Sequence, residues 1–140
     1  MTVDAAIRAG RALAESLMLD TARVDEITGS TVDADGVEVD TYTPCYGPTI
    51  TPLPGKRAGM CKVQNGGTQA LNPEAGGATF TVQSGAVHFP VGAFVPKIGL
   101  VVTLTAAVLD PNLVGCKFRV TALLHKSQGT AYRLAVEEMV

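Results

Sequence analysis

The sequence predicts a mainly β domain, a small barrel or sandwich of six to seven short strands preceded by one α-helix. Apolar residues follow a helical period only within the first twenty positions; beyond them the period is two. Glycine and proline, 15 and 8 of 140 residues, punctuate the alternating runs at short intervals. The length supports one domain with a sizeable core rather than two. Residues 1–140 therefore read as a single domain, with a helix in 1–20 and a β body in 21–140, and no internal repeat.

Val3, Ile7, Gly10, Ala14 and Leu17 recur at steps of four and three, one face of a helix that Thr2 and Asp4 suit as a start. The face is thin-sided, so the helix is expected to dock closely on its own barrel or on a neighbouring subunit. Arg23 to Thr28 reads as a strand, and Val37, Val39, Thr41 and Thr43 as its hairpin partner. Asp33-Ala34-Asp35-Gly36 is the turn, with Gly36 taking positive φ. Pro48, Pro52 and Pro54 forbid a central strand, so 47–59 is expected to be a long loop. Cys61 to Gln64 resumes extended structure, and NGGTQALNPEAGGA, residues 65–78, reads as a second long loop with glycine pairs at both ends. Phe80 and Val82 share one parity, Val87 and Phe89 the other; a β-bulge at Gly85 would reconcile them. Val102, Leu104, Ala106 and Val108 form the next strand, and Asp110-Pro111-Asn112 a turn. Cys116, Phe118, Val120 and Ala122, then Tyr132, Leu134 and Val136, supply the last two strands.

The net charge of −2 argues against a protein that grips nucleic acid through phosphates. Three widely spaced cysteines, Cys45, Cys61 and Cys116, fit free thiols in a reducing compartment. No run approaches the roughly 18 apolar residues that span a bilayer. Asp4, Arg8, Arg11 and Glu15 interrupt any apolar signal segment, so synthesis in the cytoplasm is expected.

Catalysis finds no support in the residue pattern. His88 stands in a strand beside Pro90, a structural position. His125 opens HKSQGT, but neighbours in a strand point to opposite faces, so His125 and Ser127 read as a polar hairpin end. The cysteines lack metal-ligand spacing. The glycine pairs lack the following Lys-Ser/Thr of a phosphate cradle. Asp33 and Asp35 begin like a calcium loop, yet Pro44 holds the twelfth position where Glu is needed. No catalytic residue, metal or cofactor is expected. What remains is a compact body with long loops, the usual arrangement of binding and assembly proteins.

RALAESLMLDTARV, then CKVQ, then the glycine-rich stretch ending AGGATFTVQ, then DPNLVGCKFRVTALLHKSQGTAYRLAVEE follow one another along the chain. In this order they resemble the head-to-tail stopper family of long-tailed bacteriophages of actinobacteria. The similarity covers nearly the whole chain and is longest from Val101 to Glu138. The resemblance implies a small SH3-like β-barrel in a structural virion protein, assembled in the host cytoplasm. It implies a homo-oligomeric ring, typically of twelve subunits, between the portal and adaptor ring on the head side and the tail terminator or tail tube. Packaged double-stranded DNA would pass through its centre without sequence-specific contact, and no membrane is involved.

The family's channel loop follows the CKVQ-like strand and therefore maps onto 65–78, with Asn65, Gly66, Gly67, Leu71, Glu74, Gly76 and Gly77 as its candidate residues and the glycines as hinges. That stretch holds no Lys or Arg, which suits a lining past which DNA must slide. The helix face Val3, Ile7, Gly10, Ala14 and Leu17 is the candidate ring interface. The chain departs from the family pattern by an insertion at about 47–57, whose Lys56 and Arg57 are candidate contacts to a neighbour or to DNA. Another connector ring, an adaptor or tail terminator, is the near alternative; a small ligand-binding barrel using His125 and Ser127 is the distant one.

Overall fold

In the computed structural model, residues 2–75, 78–125, 127 and 129–139 are described, and of 65–84 the backbone alone. Helix α1 spans Val3–Ser16. Thr2 caps it, its hydroxyl accepting the Ala5 N–H at 3.2 Å, and Asp4 stands in the first turn. Seven strands follow: β1 Asp20–Val32, β2 Glu38–Tyr46, β3 Met60–Ala75, β4 Ala78–Phe89, β5 Val101–Ala106, β6 Lys117–Leu123 and β7 Tyr132–Met139, with a 3₁₀ turn at Pro111–Leu113. They form one sheet in the order β2-β1-β3-β4-β7-β6-β5, and a β1–β5 pairing closes it. Six strands thus make a barrel in which every neighbour is antiparallel, while β2 is an extra strand on β1.

The period-two runs line the barrel's interior as expected. Ala22, Val24, Cys61, Val87, Phe89, Val102, Leu104, Val120, Leu134 and Val136 are all buried. Each large apolar side chain removed from water contributes roughly 1.5–3 kcal/mol, and a barrel this small fills its interior with them. One end is plugged by an aromatic cluster. Phe89 meets Phe94 edge-on at 5.0 Å and Tyr46 at 5.4 Å, and Tyr46 donates its hydroxyl to the Met60 carbonyl at 2.6 Å. Burial of that phenol raises its pKa above the ordinary tyrosine value.

Several details depart from the sequence reading. The helix is rolled about its axis. Ile7, Gly10 and Ala14 are half-buried as expected, but so are Arg11 and Glu15, while Val3 and Leu17 remain exposed. The charged pair belongs on the docked side because it finds partners there: Arg11 Nε donates to the Gly129 carbonyl at 3.3 Å, and Glu15 pairs with Lys56. The irregularity expected at Gly85 lies across the ladder on β3. Asn65 pairs with Gly85 and Thr68 with Gln83, so Gly66 and Gly67 oppose one residue. On β6 the register slips between Val120 and Ala122, leaving Thr121 as the extra residue and bringing Leu123 rather than Ala122 toward the core. Val108 lies beyond β5 and is exposed.

The largest correction concerns 65–78. Its described part is strand rather than loop: Thr68 to Leu71 pair with Gln83 to Phe80, and Ala75 with Ala78. Gly66 and Gly67, one of the two pairs that suggested a loop, sit instead at a ladder irregularity. Gly76 and Gly77 lie outside the described residues.

Candidate functional site

Two hairpins run past the barrel that carries them. Among the described residues β4 is paired with β7 only from Ser84 to Phe89, so Thr68–Ala75 and Ala78–Gln83 pair only with one another. β1 contacts β3 and β5 only from Asp20 to Asp25, so from Glu26 to Val32 its sole ladder partner is β2. At about 3.3 Å per residue, Ala78–Gln83 carry the β3–β4 ribbon roughly 20 Å beyond the barrel rim, the extra β3 residues being taken up in its register shifts. A two-stranded ribbon is marginally stable in water by itself, so both lie outside the cooperative core.

The β1–β2 arm is acidic. Between Val24 and Gly55 the chain holds Asp25, Glu26, Asp33, Asp35, Glu38 and Asp40 and no Lys or Arg. Asp25 is buried against Arg23 Nε at 2.8 Å, and Glu26 meets Lys97 at 2.9 Å. Asp33 closes the turn, accepting the N–H groups of Asp35 and Val37 at 2.9 Å each, with Gly36 at φ +79° as expected. That cap is what made the segment look like the start of a calcium loop; among the described residues no group of His, Cys, Asp or Glu could hold a metal. Glu38 meets the Ser30 hydroxyl at 2.5 Å. Val32, Val37 and Val39 are exposed beside these carboxylates.

The 47–59 loop, through Lys56 and Arg57 of the insertion at about 47–57, serves as a clamp on the helix. Arg57 donates to the carbonyls of Met18 at 3.3 Å and Asp20 at 2.9 Å and to the Thr21 hydroxyl, and Lys56 pairs with Glu15. Both cations, expected to face a neighbour or DNA, are thus engaged by their own chain at the α1–β1 junction. Gly59 makes the close approach possible: at φ +75° its carbonyl accepts the Ala22 N–H, and a Cβ there would stand 2.8 Å from the Thr21 methyl and 3.0 Å from the Ala22 oxygen.

Under the helix lies a groove of about 670 Å³. Ala14 and Leu17 form one wall, and the outer face of β3, β4 and β7 forms the floor. Strand alternation turns Cys61, Val87 and Leu134 inward, and therefore Lys62, His88 and Arg133 outward. The register sets these three side by side, Lys62 opposite His88 and His88 opposite Arg133. The next row, Gln64, Ala86 and Ala135, is small enough on two strands to deepen the floor. Burial, then Arg133, then Lys62, push the His88 pKa below the ordinary histidine value. Among the described residues the four ion pairs use Arg8, Arg23, Lys56 and Lys97 and leave out Lys62 and Arg133.

The sequence reading passed over this basic row, although each member has outward parity in a strand it had identified. The missing information was the β3-β4-β7 pairing, which makes three distant residues neighbours. Of the residues it did single out, Asn65, Gly66, Gly67, Leu71 and Glu74 share the β3 ribbon, far in sequence from the helix face. Val3, Leu13 and Leu17 form an exposed apolar flank of α1. His125 and Ser127 line a small cavity of about 130 Å³ beside Arg11, and no hydrogen bond joins them among the described residues.

Three free thiols complete the inventory. Cys61 is fully buried and its pKa is pushed up to about 12; Cys45 is raised by burial and by Glu26. Neither has the lowered pKa of a nucleophile. No described helix is long and apolar enough to cross a membrane.

Comparison with curated proteins and with solved structures gives no match. The sequence profile of one family matches residues 10–137, from within α1 to within β7, and the chain belongs to that family, DUF6093, described as a family of unknown function.

Proposed function

We propose that the chain is a non-enzymatic subunit of a head-to-tail stopper ring, closing the DNA channel of a long-tailed phage after packaging and offering the tail its docking surface. The observation that carries this reading is the β3–β4 ribbon, which leaves a closed barrel and, among the described residues, continues with no ladder partner but itself. Repeated around an axis, such ribbons converge on a channel that one subunit alone cannot define. Their composition suits that place: from Asn65 to Pro96 there is no Lys or Arg to hold passing phosphates. The Gly66–Gly67 irregularity gives each ribbon a bending point near the rim, the hinge the closing motion needs. The sequence resemblance to phage stoppers supports the same reading.

Deleting Asn65 to Ala78 tests the reading in a phage that encodes this chain. Heads are expected to assemble and package normally, then to lose DNA before tails join, measured as full against empty heads. Particles that keep their DNA and acquire tails at the parental rate would sink the gate. A chain located in an adaptor or tail-terminator ring would keep the connector and reassign the layer.

A further inference from the structure

The two charged surfaces of this chain complement each other. The groove under α1 has an uncompensated basic row, Lys62, His88 and Arg133, over an alanine floor, with Leu17 and Leu124 at its apolar edges. Lys62 and Arg133 flank His88, whose charged form burial and both cations disfavour, and the two cations repel across it, so the row is stabilised by carboxylates brought to it. Glu137 also lines the groove, but its cross-strand partner is Arg119, and it stands two rows from Arg133 on β7. The β1–β2 arm tip carries the opposite set, Asp35, Glu38 and Asp40, interleaved with exposed Val32, Val37 and Val39.

We propose that the acidic arm tip of one copy docks in the basic groove of the next, a head-to-tail contact between identical chains. The contact uses different patches on its two sides, so repeating it generates a ring or an open chain rather than a two-fold dimer. Carboxylates meet the Lys62–His88–Arg133 row while Val32, which pairs with Glu38 and shares its face of the arm, covers Ala86 and Ala135. The ring reading of function enters only through closure: the pairwise contact is a property of the chain by itself.

The test uses two charge-reversed full-length chains, Lys62→Glu with Arg133→Glu, and Asp35→Lys with Glu38→Lys and Asp40→Lys, each checked for native circular dichroism. Sedimentation velocity over a concentration series at low salt is expected to show self-association of the parent chain that weakens at high salt. Each reversed chain alone is expected to lose that association by at least about tenfold. Their equimolar mixture is expected to regain it, because each then offers the surface the other lacks. A parent that never associates, a single reversal without effect, or a mixture that stays monomeric would each overturn the contact. So would loss of duplex-DNA binding by the groove variant with association intact, which would make the row a phosphate surface. Association without a place in the virion would instead leave the contact standing and remove the stopper assignment.

Discussion

His88 shows how one residue reports on its surroundings. It stands between Lys62 and Arg133 on the barrel's outer face, half-buried, and both burial and its neighbours disfavour the imidazolium. The folded chain therefore takes up this proton less readily than the unfolded chain, whose histidine keeps the ordinary value of 6.5. In that window the unfolded state binds more protons, so stability is full above 6.5 and falls as pH drops through it toward the lower folded pKa. Urea unfolding at several pH values is expected to show this loss in the parent chain and a flatter profile in His88→Gln. Identical profiles would mean that the row is neutralised within the chain. The sequence displayed His88 and its inward neighbours Val87 and Phe89, but not the two cations, which lie 26 residues before and 45 after it.

At the scale of the element, alternation made the barrel strands legible because burial on one face writes itself into every second residue. The same logic explains the failure at 65–78. A ribbon outside the barrel has no core to face, so its residues carry no inward parity, and glycine-rich composition looks like a loop. The helix was rolled from its expected docking for a related reason: Arg11 and Glu15 found polar partners in segments distant in sequence. The ribbon's ladder is correspondingly weak. Amide exchange of the free chain is expected to be fast from Thr68 to Ala75, where only two strands pair. The amides of Val87, Val102 and Val120 should exchange slower by a factor of about 10³ or more, as barrel residues open with the whole fold. Comparable protection in both would require a partner for the ribbon within the monomer.

For the whole molecule, closure removes the edges of the barrel itself, and the open edges belong to the β3–β4 ribbon and to the β1–β2 arm, where Glu38 and Asp40 charge β2. The rigid part is therefore a mount for two arms and a groove. The fold class could be read from periodicity and punctuation, whereas the groove required knowing which strands meet. The central proposal concerns place: a ring at the head–tail junction, with the β3–β4 ribbons of its subunits directed at the axis. The direct measurement is an electron cryomicroscopy reconstruction of that junction in mature particles of a phage encoding the chain. The account predicts a ring below the portal and adaptor whose subunits fit this barrel, with ribbons converging on the channel. Absence of the barrel from the junction, or ribbons pointing outward from a ring that contains it, would contradict the account.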